Sequence, residues 1–310
     1  MGALPYALSV SVASLGEAVR AFGAALAPRF ATGVGEPEDH LRSPFENLLD
    51  DVASLAGVGS VVATGEHHLA DERVRPDYSV HVGGALIGFV ELKAPGKGVD
   101  TSRFRGHDKQ QWERLACLPN VLYTDGQSFA LYRNGERVGA VARLVGDVET
   151  SGAKLSVDSD SLLAVVGDFL SWQPIPPSQP RELAVTAARL CRLLRAEVEE
   201  LLTTEKALEA LAEDWRRLLF PEASDSEFAD GYAQTVTFAL LLARTEGIEF
   251  TGRKLHDIAE DLGARHTLMG QALDVLTSSV VLREQAVSVR TLQRVLSVVD
   301  VMKERLTAPA

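Results

Sequence analysis

Two acidic residues and one lysine are spaced in this chain so that their side chains could act together in a chemical reaction. Glu91 and Lys93 are two positions apart at the end of an apolar run, Leu86–Leu92. Residues at i and i+2 of a β-strand share one face and lie about 7 Å apart, so the two side chains point the same way. Asp77 begins the preceding, alternating segment, and a turn at Gly83-Gly84 would bring it beside the end of the second strand. The pattern predicts that these charges meet at one end of a sheet.

This convergence predicts metal-assisted attack on a phosphate ester. Two carboxylates can hold a magnesium ion that keeps most of its waters. The ion polarises a phosphoryl oxygen and lowers the pKa of a bound water. A neighbouring lysine can orient or deprotonate that water, or offset charge on the phosphate. Spacing alone leaves open a surface hairpin with solvated charged ends, but charges that end a buried apolar strand are costly unless they are paired or metal-bound.

The elements that must position these residues follow from apolar periodicity and turn residues. The order helix, helix, strand, hairpin, helix and strands predicts an α/β domain. His67 and His68, at the end of the first predicted strand, are interpreted as structural or solvent-facing, because adjacent residues of a strand face opposite sides. Outside the hairpin, the predicted helices are 7–28, 38–55 and 105–118, and the predicted strands are 61–69, 121–124 and 128–133.

The second half of the chain has almost no strand signals after Ser161. Prolines between Pro174 and Pro180 predict a linker. Amphipathic periodicity then predicts helices over 181–202, 254–276 and 287–306, and a Ser224-x-x-Glu227 capping box opens a further helix through Arg244. These patterns predict three segments: an α/β domain over 1–152, a helix and linker over 153–180, and an all-α domain over 181–310.

The segment PDYSVHVGGALIGFVELKAPG resembles the PD-(D/E)xK signature of restriction-endonuclease-like nucleases. The segment HDKQQWERLACLPNVLYTDGQSFALYRNGE resembles the region downstream of that motif in Mrr-like nuclease domains. Those domains stand at the N-terminus of type IIG and type ISP restriction-modification enzymes, fused to adenine-specific DNA methyltransferases. The resemblance covers residues 36–140 strongly. It reaches the helical region weakly, around EFADGYAQTVTFALLLARTEG.

The resemblance implies a restriction-endonuclease-like core, in which a mixed central sheet is flanked by helices, and a helical connector domain. It also implies a magnesium cofactor, which manganese could replace. Glu38 on the first core helix is preferred as the accessory acid, with Glu46 as the alternative, and Asp125 could reach the site but is better explained by its turn. The catalytic residues implied are Asp77, Glu91, Lys93, Gln111 and Glu38, and the metal residues implied are Asp77, Glu91 and Leu92.

The implied partners are double-stranded DNA and a methyltransferase or specificity region, in cis or in trans. The chain has neither the cofactor-binding glycine motif nor the Asn-Pro-Pro-Tyr-type loop of such a methyltransferase. It is therefore expected to be either an N-terminal fragment or a subunit that borrows recognition from a partner. A net charge of −12 predicts weak affinity for DNA, although six basic residues against three acidic ones make Lys93–Arg114 locally positive.

The leading interpretation is a magnesium-dependent DNA endonuclease of a restriction-modification or phage-defence system. The alternative is a non-cleaving DNA-binding or assembly module with a nuclease-like fold, and a third interpretation is a helical scaffold with an incidental hairpin. No apolar run approaches the ~20 residues of a membrane span, and Met1–Leu15 lacks a basic leader, so a cytoplasmic protein without membrane contact is expected.

Overall fold

The computed structural model describes residues 14–65, 76–174, 180–277 and 287–297. Over these ranges the chain divides into a first unit that ends at Trp172 and a second unit that begins at Gln173. In the described residues, the first unit contains a mixed β-sheet with helices and the second contains helices alone. The predicted α/β core and helical region are confirmed at this level. The predicted domain limits at 152 and 181 stay a prediction.

Six strands in chain order form the sheet in the described part of the first unit. The β3–β4 pair is parallel and the other four neighbouring pairs are antiparallel. Gly83 and Gly84 both have positive φ in the turn between β2 and β3, as a type I′ hairpin turn requires. The predicted hairpin is therefore confirmed. The strands are β1 (Val61–Gly65), β2 (Tyr78–Val82), β3 (Ala85–Leu92), β4 (Val121–Thr124), β5 (Ser128–Arg133) and β6 (Glu136–Arg143).

The parallel step between β3 and β4 brings the ends of both strands to one edge of the sheet. Parallel neighbours need a crossover connection, and helix α3 (Gly106–Leu115) lies in it. At the shared edge the Lys93 amide donates a hydrogen bond to the Thr124 carbonyl at 2.8 Å. The predicted helix 105–118 was too long, because α3 ends at Leu115. The Leu118 amide donates to the Leu115 carbonyl at 2.9 Å, which is a turn contact and not the i to i−4 bond of an α-helix.

Three helices pack with the sheet in the core of the first unit: α1 (Leu15–Ala31), α2 (Pro37–Leu55) and α4 (Ser161–Leu170). Every third or fourth residue of each helix is apolar and buried, which is the stripe that an amphipathic helix turns toward a sheet. Helix α4 lies in segment 153–180, for which a helix and a linker were predicted, and it contributes to the core of the first unit. Its largest fully buried members from the helices are Phe45, Leu26, Leu41, Leu49 and Phe169.

A buried asparagine ties α4 to the middle of the sheet. The Asn120 side-chain amide donates to the Ile87 carbonyl and to the Phe169 carbonyl, each at 3.0 Å. Gly88 lies beneath this contact, where an added Cβ would stand 2.6 Å from the Asn120 carbonyl oxygen and 2.7 Å from the Phe169 ring. Only glycine allows the strand and the helix to approach this closely.

Several predicted limits in the first unit change. The first helix begins at Leu15 with Ser14 as its N-cap and ends at Ala31, later than predicted. The described part of the first strand ends at Gly65, so His67 and His68 lie outside the described residues. The segment between β3 and α3 contains a 3₁₀ turn, Thr101–Arg103, which begins after Asp100.

Amphipathic helices make up the second unit around one apolar core. The predicted Ser224–Glu227 capping box is confirmed, since the Glu227 amide donates to Ser224 Oγ at 3.2 Å and the Ser224 amide donates to Glu227 Oε2 at 2.8 Å. Over the described ranges, no helix is long and apolar enough to cross a membrane. The helices are α5 (Pro180–Leu202), α6 (Lys206–Leu218), α7 (Asp225–Thr245), α8 (Leu255–Arg265), α9 (Thr267–Thr277) and α10 (Val287–Leu296).

Two features of the second unit differ from the prediction. The single helix predicted over 254–276 is two helices, because His266 leaves the helical conformation at φ −135° and ψ 78°. The two helices then cross closely, and a Cβ added at Gly270 would stand 2.3 Å from the Cα of Gly263. Helix α6 was not predicted. The predicted helix 287–306 is described only as far as Leu296, with the residues after Ser297 outside the described ranges.

Candidate active site

The start of β2 and the end of β3 bring Asp77 and Glu91, two of the predicted site residues, close together. Asp77 directly precedes β2, and Glu91 lies one residue before the end of β3. Asp77 Oδ2 accepts a hydrogen bond from the Leu92 amide at 2.8 Å. Tyr78 pairs with Val90 in the antiparallel ladder, so Asp77 stands across from Glu91. The hairpin therefore brings both carboxylates and Leu92 to the same edge of the sheet.

Lys93 is buried, with 4% of the residue exposed, and is surrounded by polar groups. Its Nζ donates to Glu91 Oε1 at 2.9 Å and to Gln111 Oε1, and it lies 3.4 Å from Asp108 Oδ1. Burial lowers the pKa of Lys93, but the charges of Glu91, Asp108 and Glu38 outweigh it and raise the pKa overall. The side chain is therefore a fixed ammonium group at neutral pH.

Glu91 carries the unusual feature of the site. The residue is 2% exposed, and its Oε2 is buried without a hydrogen-bond partner among the described residues. Burial and the charge of Asp77 raise its pKa to about 8, although Lys93 opposes the shift. A buried carboxylate oxygen usually has a partner, so this oxygen is available to a ligand that enters the site.

Helix α2 supplies acids to the same edge from two positions. Glu38 Oε1 accepts a hydrogen bond from the Ala94 amide, directly after Lys93, at 3.0 Å. Glu46 Oε1 instead accepts a hydrogen bond from the Tyr78 hydroxyl at 2.9 Å. Glu38 also contributes to the pKa shifts of Glu91 and Lys93. We call Asp77, Glu91 and Lys93 the carboxylate–lysine cluster. Of the two candidate accessory acids, Glu38 is therefore the one that neighbours this cluster.

Gln111 reaches the cluster from α3, and Asp125 does not take part in it. Gln111 is buried and accepts the hydrogen bond from Lys93 described above. Asp125 Oδ1 accepts from the amides of Gln127 and Ser128 at 3.1 and 2.7 Å, as expected of a turn residue. Its Oδ2 accepts from the Gly98 amide at 3.0 Å. Asp125 thus fixes the loop that follows Lys93.

Sequence reasoning missed three side chains at this site. Arg42 Nη2 lies 2.6 Å from Asp77 Oδ1, and Asp108 lies near Lys93. Tyr123 pairs with Glu91 across the parallel β3–β4 ladder, and its buried hydroxyl has no partner in the described parts of the chain. Burial and then the Glu91 charge raise the pKa of Tyr123 well above its usual range. Its position one helical turn after Glu38 places Arg42 on the same helix face as that acid but does not identify Asp77 as its partner.

The oxygen atoms at this site suit a cation that keeps several of its waters better than one that is coordinated by protein ligands alone. Over the ranges that the structure describes, no three His, Cys, Asp or Glu side chains group as a metal site. Magnesium is usually bound through one or two carboxylates and keeps several waters, whereas zinc and calcium need larger protein ligand sets. Asp77 with the unpartnered Glu91 Oε2 fits the first case. The site can therefore combine a two-carboxylate metal position with a fixed ammonium group.

Comparisons with known proteins leave the chain without an assigned family. No family model and no curated protein matches it. One solved structure that aligns with it is a cryo-electron microscopy structure of a DrdV–DNA complex. The two share 15% identity with a TM-score of 0.35, over 86% of this chain and 27% of the other. The chain spans about a quarter of that protein's length, and at this TM-score the likeness carries no inference about fold or activity.

Proposed function

We propose that the chain is the nuclease module of a restriction-modification or phage-defence system and hydrolyses phosphodiester bonds of double-stranded DNA. The observation that carries the proposal is the buried Glu91 Oε2, which has no partner in the described chain and whose carboxylate is joined to Lys93 by a 2.9 Å contact. A protein that did not use this carboxylate would gain by replacing it, because a buried acid without full pairing is destabilising. Such an arrangement is typical of a functional site.

The carboxylates of Asp77 and Glu91, together with the main-chain carbonyl oxygen of Leu92, would hold the magnesium ion. When bound, the ion would polarise the phosphate and acidify a water. Lys93 is charged at neutral pH because its pKa is raised. It therefore acts as a hydrogen-bond donor that orients the water and offsets charge on the phosphate, not as a base. Gln111 holds the ammonium in place, and Glu38 fixes the backbone at Ala94.

The segment after Lys93 is suited to contact with a nucleic-acid backbone. Lys97, Arg103, Arg105 and Lys109 are exposed around the 3₁₀ turn and the start of α3. Basic side chains of this kind neutralise phosphates and supply affinity without sequence preference. Because the chain as a whole carries a charge of −12, we propose that site choice and tight binding come from a methyltransferase or specificity region, in cis or as a partner.

The test is cleavage of supercoiled plasmid DNA in magnesium. Lys93→Ala should lower the rate about 10²- to 10³-fold, the usual loss when one charge-stabilising donor is removed. Lys93→Arg should also lose cleavage, because a planar guanidinium places its hydrogen-bond donors differently from an ammonium group. Lys154→Ala is the matched control: it removes the same charge from an exposed position of the first unit and should cleave at the wild-type rate. Equal rates for Lys93→Ala and wild type would remove the lysine from the reaction.

A non-cleaving DNA-binding or assembly module is the second candidate. It is favoured by the contacts of Asp77, whose two oxygens already accept hydrogen bonds from Arg42 and from the Leu92 amide. This candidate predicts magnesium-independent binding to duplex DNA and intact plasmid after long incubation. Magnesium-dependent cleavage that Lys93→Ala abolishes would exclude it.

A further inference from the structure

Arg42 links the candidate site to the surface of the first unit. Its Nη2 lies 2.6 Å from Asp77 Oδ1, and its Nε donates to Asp39 Oδ1 at 3.1 Å. The side chain of Arg42 is 29% exposed, whereas those of Asp77 and Asp39 are 9% and 64% exposed. The guanidinium group therefore spans from a buried carboxylate to one at the rim.

The contact with Asp77 conflicts with metal binding at the same carboxylate. Asp77 Oδ2 is taken by the Leu92 amide, and Oδ1 is the oxygen that Arg42 contacts. A cation bound by Asp77 and Glu91 would place its charge beside the guanidinium, where repulsion in a partly buried site is strong. The two positive groups therefore compete for Asp77.

An arginine displaced from Asp77 would remain at the rim of the site. Asp39 still holds its Nε, and the Tyr78 ring lies 5.8 Å below the guanidinium carbon. The group that the proposed function brings to this rim is a DNA phosphate. Guanidinium matches phosphate oxygens in a bidentate fashion and does so better than ammonium.

We propose that Arg42 exchanges partners: it neutralises Asp77 in the metal-free protein and contacts a phosphate of the DNA backbone once a divalent cation occupies the acids. The inference rests on the proposed function, because it takes the metal position and the substrate class from it. It assigns to Arg42 a positioning role in metal binding and a direct role in substrate binding. Metal and DNA affinity should therefore respond to Arg42 in opposite directions.

Two measurements on the full chain test the exchange, and neither requires turnover. The first is a thermal-melt titration with magnesium chloride alone. The second is binding of a short DNA duplex in calcium chloride at a series of potassium chloride concentrations. Arg42→Gln is the test variant. Arg133→Gln is the matched control, because the Arg133 side chain is 30% exposed in the same unit and pairs with Asp168 at 2.8 Å.

Arg42→Gln should reach half-saturation at a magnesium concentration about tenfold lower than wild type, since the competing charge is gone. In calcium, the same variant should bind the duplex more weakly, and the slope of log affinity against log salt should fall by about one phosphate contact. Arg42→Lys keeps one charge and should recover part of the salt slope. Arg133→Gln should match wild type in both measurements.

The exchange is overturned if Arg42→Gln binds magnesium as wild type does or more weakly, because Arg42 would then only brace the fold. It is also overturned if neither protein responds to magnesium, or if the duplex affinity and salt slope of the variant equal those of wild type in calcium. A wild type that binds metal and DNA as described but leaves plasmid intact would contradict the proposed hydrolysis alone. Failure of the inference and failure of the proposed function are thus distinguishable.

Discussion

The raised pKa of Glu91 makes the stability of the metal-free protein depend on pH. Its ordinary value of 4.5 rises to about 8 in the folded chain, first through burial and then through the charge of Asp77. The folded state therefore holds the proton more tightly than the unfolded state does. This contribution is fully present below about pH 4.5 and is lost as the pH rises through about 8. Glu91→Gln, which cannot ionise, should not show the loss.

The size of the effect follows from the two pKa values. The full interval corresponds to roughly 5 kcal/mol, and the part that falls between pH 5 and pH 8 to roughly 3 to 4 kcal/mol. Over that range, the free energy of unfolding of Glu91→Gln should rise by this amount relative to wild type. Asp108 Oδ1 lies 3.4 Å from Lys93 Nζ in the wild-type chain, so the ammonium of the variant should keep an anionic partner.

Urea unfolding in a chelator at pH 5, 6, 7 and 8 measures this difference. A Trp215→Phe background restricts the tryptophan signal to the first unit, where Trp112 packs edge-on against Tyr123. The variant minus wild-type free energy should increase steadily with pH. Saturating magnesium should shrink the wild-type loss, because a cation favours the charged carboxylate. A difference that stays constant within about 1 kcal/mol from pH 5 to 8 would refute the assignment of a raised pKa to Glu91.

Two glycines should be indispensable for packing, one in each unit. Gly88→Ala should cost about 3 kcal/mol or more in urea unfolding, because its Cβ would meet the Asn120 carbonyl at 2.6 Å, whereas Gly59→Ala, with nothing within 4 Å, should not show this clash cost. In the second unit Gly270→Ala should be strongly destabilising, since its Cβ would meet Gly263 at 2.3 Å; Gly263→Ala, with 3.8 Å to its neighbour, should fold with near wild-type stability. Equal stability within either pair would contradict the close approach.

The parts of the site that the sequence could predict are those fixed by local geometry. A two-residue period and a Gly-Gly turn bring the start of β2 beside the end of β3. The register shift at Val80–His81, which the sequence did not predict, then places Asp77 across from Glu91 instead of Val90. The place of Gln111 came from the family resemblance, since helical periodicity alone does not say which residue of a helix meets a lysine on a neighbouring strand. The catalytic roles of these residues stay predictions.

The parts that could not be predicted depend on contacts between distant elements. Arg42 recurs at four-residue spacing with Glu38 and Glu46, so all three share one face of α2, and nothing local says which of them reaches Asp77. The break between α8 and α9 has no proline or other strong signal at its position. It accompanies the close crossing at Gly263 and Gly270, which is a tertiary contact.

The connectivity of the first unit bears on when the site can exist during synthesis. Glu38 and Gln111 lie on α2 and α3, whereas Asp77 directly precedes β2 and Lys93 directly follows β3. The contacts between them are joined to α4 through the hydrogen bond from the Asn120 side chain to the Phe169 carbonyl. No shorter nascent chain holds all of these contacts. Domains fold in turn from the N-terminus as the ribosome adds about 5 to 20 residues per second. A newly made chain can therefore assemble the carboxylate–lysine cluster roughly ten seconds before translation reaches the last described helix.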